Sequence, residues 1–182
     1  MKLSEKQLRR AIFSIWDIQQ ALSALTFLLE DCDFSAEYSA VELRRFRCYE
    51  TTLIISLARP FENSRSGTTL SLKSLGINLE GKEKELLNKI SFLRNKVIAH
   101  SDEEEMHYRT NTFPVMEGEF TLPHIQFDEN LLLTEGELHD LETMLRKIKF
   151  GLADFFFELA QKNPELLKEY KIPTSQMEQN NA

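Results

Sequence analysis

The chain has few of the residues that punctuate β-rich folds. It holds only 6 Gly and 5 Pro in 182 residues, which argues against a sandwich or barrel built from many tight turns. Its two cysteines, Cys32 and Cys48, cannot build a disulfide framework, so the reducing cytosol is the expected compartment. Long apolar runs are also scarce. The longest near-apolar stretch, Ala21 to Leu29, is interrupted by Ser23 and Thr26 and is too short to span a bilayer, so no membrane association is expected. Met1 to Arg10 is polar, and no signal peptide is expected. The sequence has no Gly-rich phosphate loop, no nucleophile elbow and no zinc-finger spacing.

What is present fits a soluble globular chain: 42% hydrophobic and 28% charged residues, enough to bury a core without staples. A single domain over residues 1–172 is expected, with residues 101–133 inserted and residues 173–182 a flexible tail. The net charge is −7, which globally opposes non-specific nucleic-acid binding. The distribution differs. Residues 1–43 carry net −3, residues 44–100 net +6 and residues 101–182 net −10. A cationic middle between acidic flanks permits a local polyanion site, although ordinary solvated helix faces give the same pattern.

Four helical segments can be read. The first runs from about Ser4 to Glu30. Ser4 and Gln7 have capping-box spacing, and Leu8, Ile12, Ile15, Leu22, Leu25 and Leu29 mark an apolar stripe. The second runs from about Ser39 to Arg59, capped by Ser39 and Glu42, with Phe46, Leu53 and Leu57 on one side; Pro60 stops it. A polar connector follows, Phe61 to Asn78. The third helix covers about Glu80 to His100, with Leu86, Ile90, Leu93 and Val97 as its stripe, and the next step of three lands on His100. The fourth opens on the Thr134–Glu137 capping box. Leu138, Leu141, Leu145, Ile148, Leu152, Phe155 and Leu159 alternate steps of three and four. Between helices three and four, Thr112–Val115 and Phe120–Leu122 flank a Gly-containing turn. Pro114 and Pro123 count against a hairpin there, since each removes a ladder donor. Together these features predict an all-α, up-and-down four-helix bundle with a short irregular or β-hairpin insertion between its third and fourth helices.

One segment rises above a generic bundle: Leu93-Arg94-Asn95-Lys96-Val97-Ile98-Ala99-His100-Ser101-Asp102. An Arg followed by a polar residue, with a His six positions on, near the end of a bundle helix, resembles the signature of the HEPN superfamily. The likeness is strongest to the HEPN-like proteins of bacterial abortive-infection and toxin systems. The resemblance covers the motif specifically and the helical pattern loosely. It implies metal-independent endoribonuclease activity in a cleft formed across a homodimer, with a cyclic-phosphate product and no cofactor. An antitoxin or nucleotidyltransferase partner is also implied. Some toxin members carry a Tyr two residues after the His, which such a partner modifies. Here that position is Asp102, and the nearest downstream Tyr is Tyr108.

The residue chemistry agrees with this reading independently. Arg94 offers a permanently charged fork of donors that matches phosphate oxygens. His100 titrates near neutrality and suits proton transfer from a ribose 2′-OH. Asn95 would orient the cleft or bond a phosphate. Asp102 would hold the His100 tautomer or serve as a simple turn residue. Arg44, Arg45 and Arg47, with Lys96, would extend a basic groove for RNA. In a regular helix Arg94 and His100 lie about 120° apart, lining a cleft rather than stacking. Other readings remain. A His at a helix C-terminus is favoured by the helix dipole alone. His100, Asp102, Glu105 and His107 could place metal ligands on one loop, although the reading adopted has no metal. The same fold could also serve as a catalytically inactive interaction module that binds a protein partner or nucleotide.

Overall fold

The computed structural model describes residues 4–62, 68–98, 108–116 and 119–167. The chain is mostly helical (70%), with a small two-stranded antiparallel sheet. The helices are α1 (Glu5–Asp31), α2 (Ala40–Ala58), α3 (Gly81–Leu93) and α4 (Glu135–Lys162), with short 3-10 turns between α2 and α3. Strands β1 (Tyr108–Val115) and β2 (Phe120–Phe127) fall between α3 and α4 in sequence.

Local chemistry explains the starts. The capping boxes expected at Ser4–Gln7, Ser39–Glu42 and Thr134–Glu137 all form. In each, a side-chain oxygen accepts an otherwise orphaned first-turn amide. Glu80 and Glu83 form a further box at the start of α3. Pro60 does end α2: the chain tightens into a single 3-10 turn over Arg59–Phe61.

Ion pairs give the helix directions. Arg45 near the start of α2 pairs with Asp31 at the end of α1, and Arg59 past the end of α2 pairs with Asp17. Helices α1 and α2 are therefore antiparallel. Likewise Lys89 pairs with Glu137 while Lys147 pairs with Glu83, so α3 and α4 are antiparallel. The core between them is made by Ile18, Leu25 and Leu28 of α1, by Phe46, Leu53 and Leu57 of α2, by Leu86, Ile90 and Leu93 of α3, and by Leu138, Leu141, Leu145, Ile148 and Leu152 of α4. Each such side chain contributes about 1.5–3 kcal/mol by burial.

The stripes expected on α2, α3 and α4 lie in this core, as far as Leu93 and Leu152; Val97 falls outside the described side chains. The stripe expected on α1 holds in part: Leu25 is buried and Ile15, Leu22 and Leu29 are half-buried against the core. Its buried line is Ala11, Ser14, Ile18, Ala21, Leu25 and Leu28, and Ile12 is exposed. The periodicity of large residues pointed to a neighbouring face. The small residues Ala11, Ser14, Ala21 and Ala24 face inward instead, where they let α1 sit close to its neighbours. Taken whole, α1 is long and apolar enough by composition to cross a membrane, which the stretch Ala21 to Leu29 alone is not; 39% of its apolar window is buried against the rest of the protein.

The segment between α3 and α4 holds a hairpin that begins earlier and ends later than expected, with Tyr108 opposite Phe127 and Val115 opposite Phe120. Pro114 and Pro123 are accommodated within it. All of its strand residues are exposed except the half-buried Val115, so the ribbon stands off the core.

One buried polar anchor ties α4 to α2. The Glu50 carboxylate is fully buried. Its Oε1 accepts from the amides of Leu132 (2.7 Å) and Leu133 (2.8 Å), and its Oε2 accepts from Arg47 Nη1 (2.8 Å). This clamp sets the chain just before the α4 cap.

Candidate active site at the end of α3

The α3 helix does not run on regularly to His100. Its α-helical part ends at Leu93, and Arg94–Ile98 winds as a wider π turn. A π turn inserts an extra residue per hydrogen-bonded ring and is often found at functional sites. The angular offset computed for a regular helix therefore does not carry over to Arg94 and His100. His100 and Asp102 lie outside the described residues, as do Glu105 and His107 of the metal reading. Among the described residues, no three His, Cys, Asp or Glu side chains gather in a way that could hold a metal.

Arg94 stands at the first position of the π turn, with its side chain 40% exposed. Its Nη1 lies 2.8 Å from Glu62 Oε2 and donates to Asn95 Oδ1 at 2.7 Å. Asn95 thus acts on Arg94 directly, turning its acceptor toward the guanidinium. Lys96 is exposed one residue further along the same turn.

Glu62 was not picked out by the sequence reading, and neither was its neighbour Arg10. Glu62 lies just past the 3-10 turn that follows α2, and its carboxylate is mostly buried. Only one of its oxygens is engaged: Oε1 is buried with no hydrogen-bond partner. A buried carboxylate oxygen left without a donor costs free energy. Arg10 of α1 holds the same connector from the other side, donating to the carbonyls of Thr68 (2.7 Å) and Glu62 (3.3 Å). Two turns further along α1, buried Asp17 accepts from Arg59 at 3.0 Å. Three guanidiniums, Arg10, Arg59 and Arg94, therefore meet two carboxylates, Asp17 and Glu62, around one end of the connector. Among the described residues here, guanidiniums outnumber carboxylates by three to two.

The other basic residues lie elsewhere. Arg44 pairs with Glu129 at 2.6 Å, Arg45 pairs with Asp31 at 3.3 Å and covers the Phe46 ring, and Arg47 pairs with buried Glu50. About 17 Å of helix separates Arg47 from Ala58, and Glu62 lies further on. The structure thus does not bring this arginine set to the Arg94 turn. A cleft of about 450 Å³ opens at that far end, between the start of α2 and the base of the hairpin, with Leu43, Tyr108, Arg109, Phe127 and Glu129 among its walls.

Comparison with protein families, characterised proteins and solved structures finds no match for this chain.

Proposed function

We propose that the chain is a HEPN-like, metal-independent endoribonuclease of a toxin or phage-defence kind, built as an up-and-down four-helix bundle with a hairpin insertion. It acts in the cytoplasm as a homodimer on RNA, under the control of an antitoxin or nucleotidyltransferase partner. The observation that carries the reading is Arg94. It is a half-exposed guanidinium on a π turn, steadied by Asn95 and Glu62.

In this reading His100 takes the proton from a ribose 2′-OH. The 2′-oxygen attacks the neighbouring phosphorus, and the bond to the 5′-oxygen breaks. The product is a 2′,3′-cyclic phosphate, and the 5′-oxygen leaves with a proton. Arg94 faces the charge that builds on the phosphate oxygens, where a fixed donor is most effective. Phosphate competes with Glu62 for the same donors. Asp102 holds the His100 tautomer, while Lys96 guides the RNA backbone.

A second reading, a catalytically silent interaction module, is favoured by the same Arg94–Glu62 contact. It pairs the guanidinium with a carboxylate of its own chain. Cleavage of RNA in EDTA by wild type, Arg94→Ala and His100→Ala protein separates the two.

A further inference from the structure

We propose that the outward face of α1 is the surface on which a second copy of this chain docks, with the two α1 helices antiparallel. It goes beyond the ribonuclease reading, because an antiparallel α1 seam sets the two Arg94 turns at opposite ends of the contact instead of in one cleft, and its argument rests on α1 alone.

The first observation is charge. From Ala11 to Leu29, α1 carries a single charged residue, Asp17. That residue is buried and paired with Arg59. The exposed face over this length is therefore uncharged. Two copies of a chain with net charge −7 repel each other over most approaches. Here they meet without opposing like charges.

The second observation is spacing. Phe13, Trp16, Gln20, Ser23 and Phe27 follow steps of three, four, three and four along α1. This is the pattern of a helix-pairing seam, yet it points away from the core. Phe13 is 59% exposed, Trp16 62% and Phe27 51%.

The third observation is self-complementarity. Laid antiparallel about a two-fold axis, the seam sets large against small. Phe13 meets the partner's Ser23, and Trp16 meets the partner's Gln20. Phe27 meets the partner's Arg9, a cation over a ring. A two-fold contact requires such self-matching, because both copies present the same patch. The polar Gln20 and Ser23 sit mid-seam, where a hydrocarbon surface would leave them unsatisfied. A second copy therefore fits this face better than a bilayer does.

The area fits a modest dimer. Ile12, Phe13, Trp16 and Phe27 leave roughly 450 Å² of side chain uncovered. Two copies then bury about 900 Å², below the range of permanent interfaces and within that of weak, transient ones. A reversible dimer forming in the micromolar range is expected. Of the rival apolar surfaces, the hairpin carries Pro114 and Pro123 in its strands, and proline blunts strand-to-strand pairing, while the exposed Phe150 and Phe157 of α4 stand among Lys149, Asp154 and Glu158.

The test is sedimentation equilibrium on the full chain across the micromolar range. Wild type should shift from monomer to dimer. Trp16→Glu and Phe13→Glu should remain monomeric with unchanged circular dichroism, while Phe113→Glu on the hairpin should still dimerise. In a Cys32→Ser, Cys48→Ser background, the pair Phe13→Cys plus Ser23→Cys should cross-link into disulfide dimers, and neither single change should. A wild type that stays monomeric overturns the proposal. So does a dimer indifferent to Trp16→Glu, an absent cross-link, or monomer that instead co-sediments with phosphatidylcholine vesicles through Trp16. No RNA is involved, so a monomer that cleaves RNA through Arg94 overturns this proposal and the homodimer of the ribonuclease reading but not its chemistry, and a dimer without cleavage overturns only that chemistry.

Discussion

Arg94 and Glu62 lie 32 residues apart in sequence, yet their Nη1 and Oε2 atoms are 2.8 Å apart, joining the end of α3 to the connector after α2. Half-exposed ion pairs of this kind contribute little to stability, typically under about 1 kcal/mol. The contact matters more for what Arg94 can bind. Replacing Glu62 by Gln removes the competing negative charge while keeping an acceptor. Glu62→Gln in a His100→Ala background should bind a short single-stranded RNA several-fold more tightly than His100→Ala alone, with a melting temperature close to wild type. Fluorescence anisotropy measures it, and unchanged affinity would show that Glu62 does not restrain the guanidinium.

The buried Glu50 makes a sharper stability prediction. Glu50→Ala strands the Leu132 and Leu133 amides and leaves Arg47 unpaired. It should cost about 3 kcal/mol in urea unfolding. Glu50→Gln keeps an acceptor for the amides and should cost about 1 kcal/mol. Equal losses in both variants would contradict the clamp.

Burial pushes the Glu50 carboxyl above its ordinary value of 4.5, against the pull of the Leu133 amide, the Arg47 charge and the Leu132 amide. The folded chain therefore holds a proton that the unfolded chain has already released. Glu50 lowers stability as pH rises through the window above 4.5. The Glu50→Gln variant cannot ionise there, so its deficit against wild type should be smaller at neutral pH than at about pH 4. A deficit that grows with pH would reverse the sign and refute this account of the group.

Glu83 and Glu137 titrate the opposite way. Hydrogen bonding to Lys147 holds Glu83 below 4.5. Burial alone raises Glu137, but its bonds to Lys89 and the Thr134 amide outweigh that and leave it below 4.5. Both groups stabilise the fold above their ordinary value, and that contribution is lost as pH falls through their lowered values. Lys89→Met should therefore flatten the acid limb of the melting-temperature profile below about pH 4.5. A Lys89→Met profile parallel to wild type throughout would contradict it.

Much of the helical layout was legible in the sequence because its signals are local. Ser4, Ser39 and Thr134 announce their helices three residues ahead, and Pro60 announces an end. The inward faces of α2 and α4 follow from Leu spacing within a few turns. The face of α1 was legible only in part, because Ala11, Ser14, Ala21 and Ala24, which hydropathy scores low, share its core line with Ile18, Leu25 and Leu28, while Ile12 sits outside. The π turn at Arg94 has no compositional mark. Glu62 and Arg10 were invisible for a different reason. Their roles arise from tertiary contacts between the end of α2, the start of α1 and the end of α3, which no periodicity encodes. The α2 arginines stood out by density alone, and their partners Glu129, Asp31 and Glu50 come from three different parts of the chain.

The central claim is that Arg94 and His100 cleave RNA without a metal. The most direct measurement is digestion of a mixed-sequence single-stranded RNA by purified protein in excess EDTA, with product ends analysed by mass. The account predicts 2′,3′-cyclic phosphate ends from wild type and a loss of at least about 100-fold with Arg94→Ala or His100→Ala, as expected for removing a charge-stabilising donor or a general base. Intact RNA with wild type, or cleavage that survives both substitutions, would contradict it.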